Sequence, residues 1–294
     1  MMIDSHLHTV RRAGLPRDEA GDNYCSPGQL IEIMDRTGVD KGILLPGVSP
    51  ECRNQYSSTE DILDICADSP DRFIPFCNID ARAGSNSAST NHSRQLTYYK
   101  DAGCKGVGEL TFNLPFTHPM VLNFFEHCQA CRMPVVFHVG PKLGDCYGLV
   151  DQLHLPGLEH CLARFADLTF IGHSQPFWAE ISGDVTDAQR AGYPTGPVAP
   201  GGAVVRLLRD YPNLYADISA SSGYNALTRD GRFGPQFAAA FHDRLLMATD
   251  TCSPGNNFQH AALLRAWKDQ GKLTAEAFEN IAWRNANRIL DLGL

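Results

Sequence analysis

The chain has 294 residues, 43% of them hydrophobic, and a formal net charge of −8 at pH 7. This length supplies the core of one large α/β domain or two small ones. The acidic balance argues against a nucleic-acid partner, because phosphate backbones are bound by basic faces. The N-terminus has no basic and apolar leader, and no apolar run reaches the ~20 residues of a membrane span. We therefore expect a cytoplasmic protein that acts on a small molecule, away from membranes.

Runs of β-forming residues alternate with helical patterns along the whole chain. The predicted strands are 2–7, 40–46, 73–79, 104–111, 134–139, 168–173, 213–218 and 244–249. The helices predicted between them include 27–37, 58–68, 118–131, 156–164, 201–210 and 233–241. Eight such repeats favour a closed (β/α)₈ TIM barrel over an open doubly wound sheet, and no Gly-x-Gly-x-x-Gly follows the first strand. We expect one domain over residues 1–294.

The first strand carries two histidines, in the segment Ile3-Asp-Ser-His6-Leu-His8. Side chains alternate along a strand, so His6 and His8 are predicted to lie on the same face. Two neutral imidazoles on one face form half of a transition-metal site.

Four later strands each end in a further candidate ligand. These are Glu109, His138, His173 and Asp250. Buried imidazoles and carboxylates are costly unless they are paired or bound to metal. In a TIM barrel the carboxyl ends of the strands converge on one mouth, where barrel enzymes place their chemistry. The sequence therefore predicts that all six side chains meet there.

Three residues after strands six and seven are candidates for binding substrate, namely Trp178, Tyr224 and Arg229. Trp178 lies in the stretch from Gln175 to Gly202, which is predicted to be an extended loop with a lid or pocket role. Ordinary loop packing is the alternative for Tyr224 and Arg229.

The chain contains ten cysteines, among them the pair Cys128-x-x-Cys131. Without an export signal, reduced thiols are favoured over a disulfide framework. No second pair follows at zinc-finger spacing, and the surrounding residues predict a helix. Both thiols are interpreted as helix-face side chains.

The ordered set of His6-x-His8, Glu109, His138, His173 and Asp250 resembles the amidohydrolase superfamily, and most closely its amidohydrolase-related, or amidohydrolase 2, group. The Ile-Gly-His173-Ser and Ala-Thr-Asp250-Thr segments and the closing Asn285-Ala-Asn-Arg-Ile-Leu resemble the same group. The resemblance covers essentially the whole chain.

The resemblance implies a role for each ligand. His6, His8 and Asp250 would bind the more buried metal, and His138 and His173 a second one. If a single metal is bound, His138 would join its ligands, and His173 would not be a ligand but would polarise or deprotonate water. Glu109 stands where many relatives have a carboxylated lysine, and resembles the bridging glutamate of branches that bind two metals. Asp250 and His173 would be the catalytic residues.

A divalent metal at these ligands makes hydroxide available near neutral pH. Mixed His, Asp and Glu ligation suits Zn²⁺ best, with Mn²⁺ and Fe²⁺ as alternatives and one or two ions left open. The sequence therefore predicts a metal-dependent hydrolase of a small amide, lactone or ester. The alternatives are a decarboxylase of a small carboxylic acid, a TatD-like nuclease, disfavoured by the acidic charge, and a non-catalytic metal-binding protein. Substrate identity and homo-oligomer formation stay open.

Overall fold

Eight parallel strands form the wall of a barrel in the computed structural model, which describes residues 1–16 and 23–294. The strands are β1 Ile3–Leu7, β2 Lys41–Leu44, β3 Phe73–Pro75, β4 Val107–Leu110, β5 Val135–Gly140, β7 Phe170–His173, β8 Leu214–Asp217 and β9 Leu245–Leu246. A short strand, β6 Leu149–Val150, pairs with β5 outside this wall. All eight predicted strands are present, although most are shorter than predicted.

The wall is hydrogen-bonded in two parts that meet at two seams. Strands β1–β3 form one part and β4, β5, β7, β8 and β9 form the other. Parallel bridges join Cys77 to Val107 at one seam and Leu7 to Thr251 at the other. The strands therefore close on themselves, and the predicted (β/α)₈ barrel is confirmed.

Helices follow the strands around the outside of the barrel. They are α1 Pro27–Thr37, α2 Thr59–Asp68, α3 Ser93–Asp101, α4 Pro119–Cys131, α5 Pro156–Arg164, α6 Gln175–Ala179, α7 Asp187–Arg190, α8 Ala203–Asp210, α9 Ala220–Thr228, α10 Phe233–Ala240, α11 His260–Asp269, α12 Ala275–Glu279 and α13 Asn285–Ile289. A π-helical turn, Asn280–Arg284, joins α12 to α13. Helix α1 begins as predicted, with Ser26 and Gln29 in a reciprocal capping box.

The stretch after β7 differs from the predicted extended loop. The Oγ of Ser174 accepts a hydrogen bond from the backbone N–H of Phe177 and so caps the short helix α6. Phe177 and Trp178 on that helix are buried, and α7 follows within the same stretch. The interpretation as an extended loop is wrong for these segments, because a serine cap and buried aromatic side chains stabilise helical turns there.

The strand side chains divide between two apolar layers. One set fills the barrel interior and packs with Ala286 and Leu290 from the end of the chain; it includes Ile3, Ile43, Val136, Ile171 and Leu246. The other set packs against the surrounding helices. The polar ligand candidates lie beyond this interior apolar layer, towards the carboxyl ends of the strands. They therefore face the mouth of the barrel.

All ten cysteines are free, and Cys128 and Cys131 lie on helix α4, as predicted. Burial raises the pKa of Cys66 and that of Cys161 to about 12, which keeps these thiols protonated. Among the described residues, no helix is long and apolar enough to cross a membrane.

Candidate metal centre

His6, on β1, and His8, directly after this strand, lie side by side at the barrel mouth. Their Nε2 atoms are 3.0 Å apart, and both residues are buried. The Nδ1 of His8 lies 3.0 Å from the carbonyl oxygen of Leu45 on the neighbouring segment, which fixes the ring with Nε2 towards His6. The predicted common face of His6 and His8 is therefore what the structure shows, although the pairing of β1 with β2 shifts register between Asp4 and Leu7.

Glu109, on β4, places one carboxylate oxygen on each side of the site. Its Oε2 lies 3.8 Å from His6 Nε2 and 3.5 Å from His8 Nε2. Its Oε1 lies 2.7 Å from His138 Nδ1 and 3.9 Å from His173 Nε2. The carboxylate thus stands between two pairs of imidazoles.

The residue before Glu109 has to be glycine. Gly108 has φ +139°, and a Cβ built on it would lie 2.5 Å from the backbone oxygen of Val136. A side chain would therefore push β4 away from β5 and displace the carboxylate that follows.

His138 and His173 come together because β5 and β7 are neighbours in register. The two residues pair directly across the parallel ladder, and their ring centroids are 5.3 Å apart. On the outer side of His138, the ring of Tyr147 packs at a centroid distance of 4.4 Å.

Asp250 completes the ring of ligand candidates from the segment that follows β9. Its backbone N–H donates to the carbonyl oxygen of His6 at 2.9 Å, and its φ of 58° lies in the left-handed region, which Asp tolerates better than most residues. Oδ1 lies 3.3 Å from His8 Nε2 and 3.6 Å from His6 Nε2, and Oδ2 lies 3.8 Å from His173 Nε2. This carboxylate also bridges histidines of different strands.

Asp217, at the end of β8, was not predicted as a site residue and proves central to it. Its Oδ2 lies 2.9 Å from His6 Nδ1 and its Oδ1 lies 3.1 Å from His173 Nδ1. The hydroxyl of Ser219 contacts both Asp217 and His173. An acceptor at Nδ1 makes this nitrogen the protonated one, so each ring presents Nε2 to the centre of the site. The signal was present in the sequence, since Asp217 lies close to the end of the predicted strand 213–218, as the other ligand candidates lie close to the ends of theirs.

The charges of the site reinforce one another. Burial opposes charge on His6, but the carboxylates of Asp217 and Asp250 raise its pKa well above the ordinary value. Burial likewise opposes ionisation of Glu109, yet the hydrogen bond from His138 and the nearby imidazole of His6 hold its pKa well below the usual range. Burial would also raise the pKa of Asp217, and His173 and His6 lower it instead. The carboxylates are therefore ionised at neutral pH and attract cations.

The donor set fits a divalent transition metal. Two groups, His6–Glu109–His173 and His6–His8–Asp250, each have all their ligand atoms within 4.8 Å of one another. Imidazole nitrogens and carboxylate oxygens are the ligands that Zn²⁺, Mn²⁺ and Fe²⁺ take in proteins. A bound cation would also compensate the buried carboxylates.

The six residues predicted as metal ligands therefore converge at one place. The three residues predicted to bind substrate lie elsewhere. Trp178 packs behind Asp217, to whose backbone oxygen its Nε1 donates at 3.0 Å. Tyr224 lines a separate surface depression with Tyr193 and Phe258. Arg229 caps the end of α9, and its Nε and Nη2 have no hydrogen-bond partner.

A cavity of about 210 Å³ opens over the metal-ligand candidates. His8, Glu109 and Asp250 form its inner end, and Tyr24, Tyr147 and residues 51–55 form its walls. The walls come from segments after β1, β2 and β5, which sequence reasoning did not single out. The size suits a small molecule.

Comparison with known proteins shows the family of the chain. A sequence model of the amidohydrolase family matches residues 3–292. None of the curated proteins compared with the chain matches it.

Solved structures resemble the chain over almost its whole length. A TIM-barrel protein from Bordetella bronchiseptica is 18% identical, covers 99% of this chain and 98% of its own, and has a TM-score of 0.66. An amidohydrolase from Burkholderia multivorans with bound zinc is 15% identical, covers 99% of both chains and has a TM-score of 0.63. A dihydroxybenzoic acid decarboxylase from a Polaromonas species, with manganese and an inhibitor, is 17% identical, covers 100% and 97%, and has a TM-score of 0.57. At these identities the likeness establishes the fold.

Proposed function

This chain belongs to the amidohydrolase family, and we propose that it is a metal-dependent hydrolase of a small amide, lactone or ester. The family's members include hydrolases and decarboxylases, so the choice between these reactions depends on the site itself. The observation that carries the proposal is the placement of Glu109 and Asp250. Each carboxylate faces histidines on two sides, with one oxygen towards each side.

In this proposal His6, His8 and Asp250 would hold one metal ion, and Glu109, His138 and His173 would hold a second. Zn²⁺ is the first candidate, and Mn²⁺ and Fe²⁺ are alternatives, in keeping with the zinc and manganese in two of the similar structures. When bound, such an ion lowers the pKa of water towards 7 and polarises a carbonyl group.

The side chains of the chain itself then divide the work. Asp250 is exposed to the cavity on one edge and accepts a proton from the attacking water, which it passes to the leaving group. If only one ion is bound, His173 is not a ligand, and its imidazole, held by Asp217 with Nε2 towards Asp250, would instead stabilise negative charge that develops on the substrate oxygen. Tyr147 packs on His138 and lines the cavity beside it.

A second candidate function is the decarboxylation of a small carboxylic acid. It is supported by the decarboxylase from the Polaromonas species, which shares this fold and binds manganese. Arg53, which lines the cavity, suits the carboxylate of such a substrate as well.

Metal analysis and a substrate panel test the proposal together. The purified protein should contain one or two divalent ions per chain, and it should turn over members of a panel of lactones, amides and esters. The same panel should include aromatic carboxylic acids, with released CO₂ measured separately. Hydrolysis without CO₂ release supports the first function, and CO₂ release supports the second. A protein without metal at neutral pH in the presence of excess zinc would contradict both.

A further inference from the structure

The loop between β2 and α2, residues 48–56, forms one wall of the cavity and is held firmly in place. Two backbone hydrogen bonds between Gly47 and Ser57, of 3.0 and 3.1 Å, close its neck. Near its end, Gln55 donates to the carbonyl oxygen of Arg12 at 2.7 Å and accepts from the N–H of Gly14 at 3.3 Å. The loop is therefore tied both to its own neck and to the segment after β1.

Arg53 extends from this loop along the cavity wall. Its Nη1 donates to the hydroxyl of Tyr24 at 2.8 Å, and its Nε is buried without a hydrogen-bond partner. The guanidinium rests on Gly47, where a Cβ would lie 2.0 Å from Nη1 and 2.5 Å from Cζ. The guanidinium of Arg53 thus occupies the space, here called its seat, that a side chain at position 47 would fill.

The charge of Arg53 is not compensated within the described residues. The carboxylates of the cavity have other partners: Glu51 pairs with Arg82 at 2.7 Å, Glu109 with His138, and Asp250 with His8. No described carboxylate lies within 4.0 Å of a guanidinium nitrogen of Arg53. A half-buried guanidinium with unused donors is stabilised by an anion that supplies both charge and acceptors.

We propose that Arg53 binds a carboxylate of the substrate, so that the substrate is a small organic anion with its reacting bond at the His8 and Asp250 end of the cavity. The inference rests on the proposed function for the identity of the reacting end. Arginine suits this task because its planar fork matches a carboxylate and stays charged at any working pH. Tyr24 and Gly47 position the fork, and the fixed loop keeps it there before substrate arrives.

Aromatic carboxylates provide a probe that does not require turnover. The zinc-loaded protein is titrated calorimetrically with benzoate and with phthalate, isophthalate and terephthalate at constant ionic strength. In each dicarboxylate, one carboxylate can bind at the metal end of the cavity. The second can then contact Arg53 in the isomer whose two carboxylates have the correct spacing. We expect at least one dicarboxylate to bind the parent protein on the order of tenfold more tightly than benzoate, as a charge-assisted hydrogen bond allows.

Two variants act on the guanidinium in different ways. Arg53→Met removes its charge and donors, and Gly47→Ala leaves Arg53 intact but fills its seat. Both should abolish most of the tenfold preference while the affinity for benzoate stays within about twofold. Arg53→Lys should keep part of the preference, because it retains the charge without the planar fork. The control Arg209→Met removes an exposed arginine on α8 and should behave as the parent.

The outcomes separate this inference from the proposed function. An unchanged preference in Arg53→Met, or no preference for any dicarboxylate in a zinc-loaded parent, would overturn the role of Arg53 and leave the metal centre standing. A parent that binds no zinc refutes the proposed function instead. The same titrations on that metal-free protein would then decide whether Arg53 binds carboxylates.

Discussion

Asp217 holds two histidines of different strands at once, with Oδ2 2.9 Å from Nδ1 of His6 and Oδ1 3.1 Å from Nδ1 of His173. This carboxylate is fully buried, and it orients both imidazoles with Nε2 towards the centre. Partners of this kind typically contribute 10–100-fold to metal affinity. Because an amide can donate its own proton to Nδ1, Asp217→Asn favours the wrong tautomer. We expect the zinc affinity to fall by ~10–100-fold, measured by competition with a chelating dye.

Asp210→Asn is the matched control, since Asp210 is exposed on α8 and pairs with its neighbour Arg209. It makes the same chemical change far from the mouth and should leave zinc affinity unchanged. Parental affinity in Asp217→Asn would show that Asp217 does not orient the ligands.

The sequence predicted the metal-ligand candidates better than the residues that orient and surround them. Strand ends are visible as apolar runs that stop at a polar residue, so His138, His173 and Asp250 could be placed at one mouth. Asp217 occupies the same kind of position but pairs with histidines 44 and 211 residues away, and such long-range partners leave no local pattern. The serine cap that made α6 helical was readable, whereas the burial of Trp178 depended on contacts between distant segments.

Arg53 illustrates a second limit of the sequence. The loop that carries it has no periodic pattern, and its shape depends on ties to Gly47, Gly14 and Tyr24. Loops of this kind line the cavity and set its specificity, while the strands set the chemistry. The family resemblance therefore identified the metal-ligand candidates but not the residues that line the cavity walls.

Removal of both His6 and His8 should abolish metal binding at the group of ligands that they form with Asp250. In the His6→Ala, His8→Ala double variant the first group of ligands keeps only Asp250, and a single carboxylate holds Zn²⁺ weakly. The metal content after dialysis against a low-zinc buffer, measured by atomic emission, is expected to fall by one ion per chain, and to near zero if the parent binds a single ion. The exposed pair His154→Ala, His160→Ala serves as the control and should retain the parental content. Parental metal content in a folded His6, His8 double variant would refute the assignment.

His92 makes stability depend on pH without taking part in the site. It is fully buried against Phe124, and neither ring nitrogen has a hydrogen-bond partner. Burial and the nearby His127 lower its pKa to about 4. In the unfolded chain a histidine titrates near ~6.5, so the unfolded state binds the extra proton between these two values. The contribution of His92 to the free energy of unfolding is therefore constant above about pH 6.5. As pH falls from there towards 4, this contribution decreases and the protein becomes less stable.

The variant His92→Leu removes this proton and keeps the apolar packing. We expect its free energy of unfolding, relative to the parent, to rise by about 3 kcal/mol between pH 7 and pH 4. Urea unfolding at several pH values measures the difference in unfolding free energy between the variant and the parent. The titration of the metal ligands cancels in this difference, because both proteins contain them. His160→Leu, at an exposed position, should show no such trend. A constant difference across this range would mean that His92 is protonated as readily in the folded protein as in the unfolded chain.

Asp250 carries the most direct test of the proposed mechanism. Asp250→Asn keeps the shape of the side chain but cannot accept a proton, and its backbone hydrogen bond to His6 stays intact. General acid–base assistance contributes ~10²–10⁴-fold to rate, so kcat on a confirmed substrate should fall by at least that range. The rate is compared at equal metal occupancy, because loss of a ligand charge also weakens metal binding. If a metal-loaded Asp250→Asn turned over within a few-fold of the parent, proton transfer would have to be assigned to His173 or the reaction would not be hydrolytic.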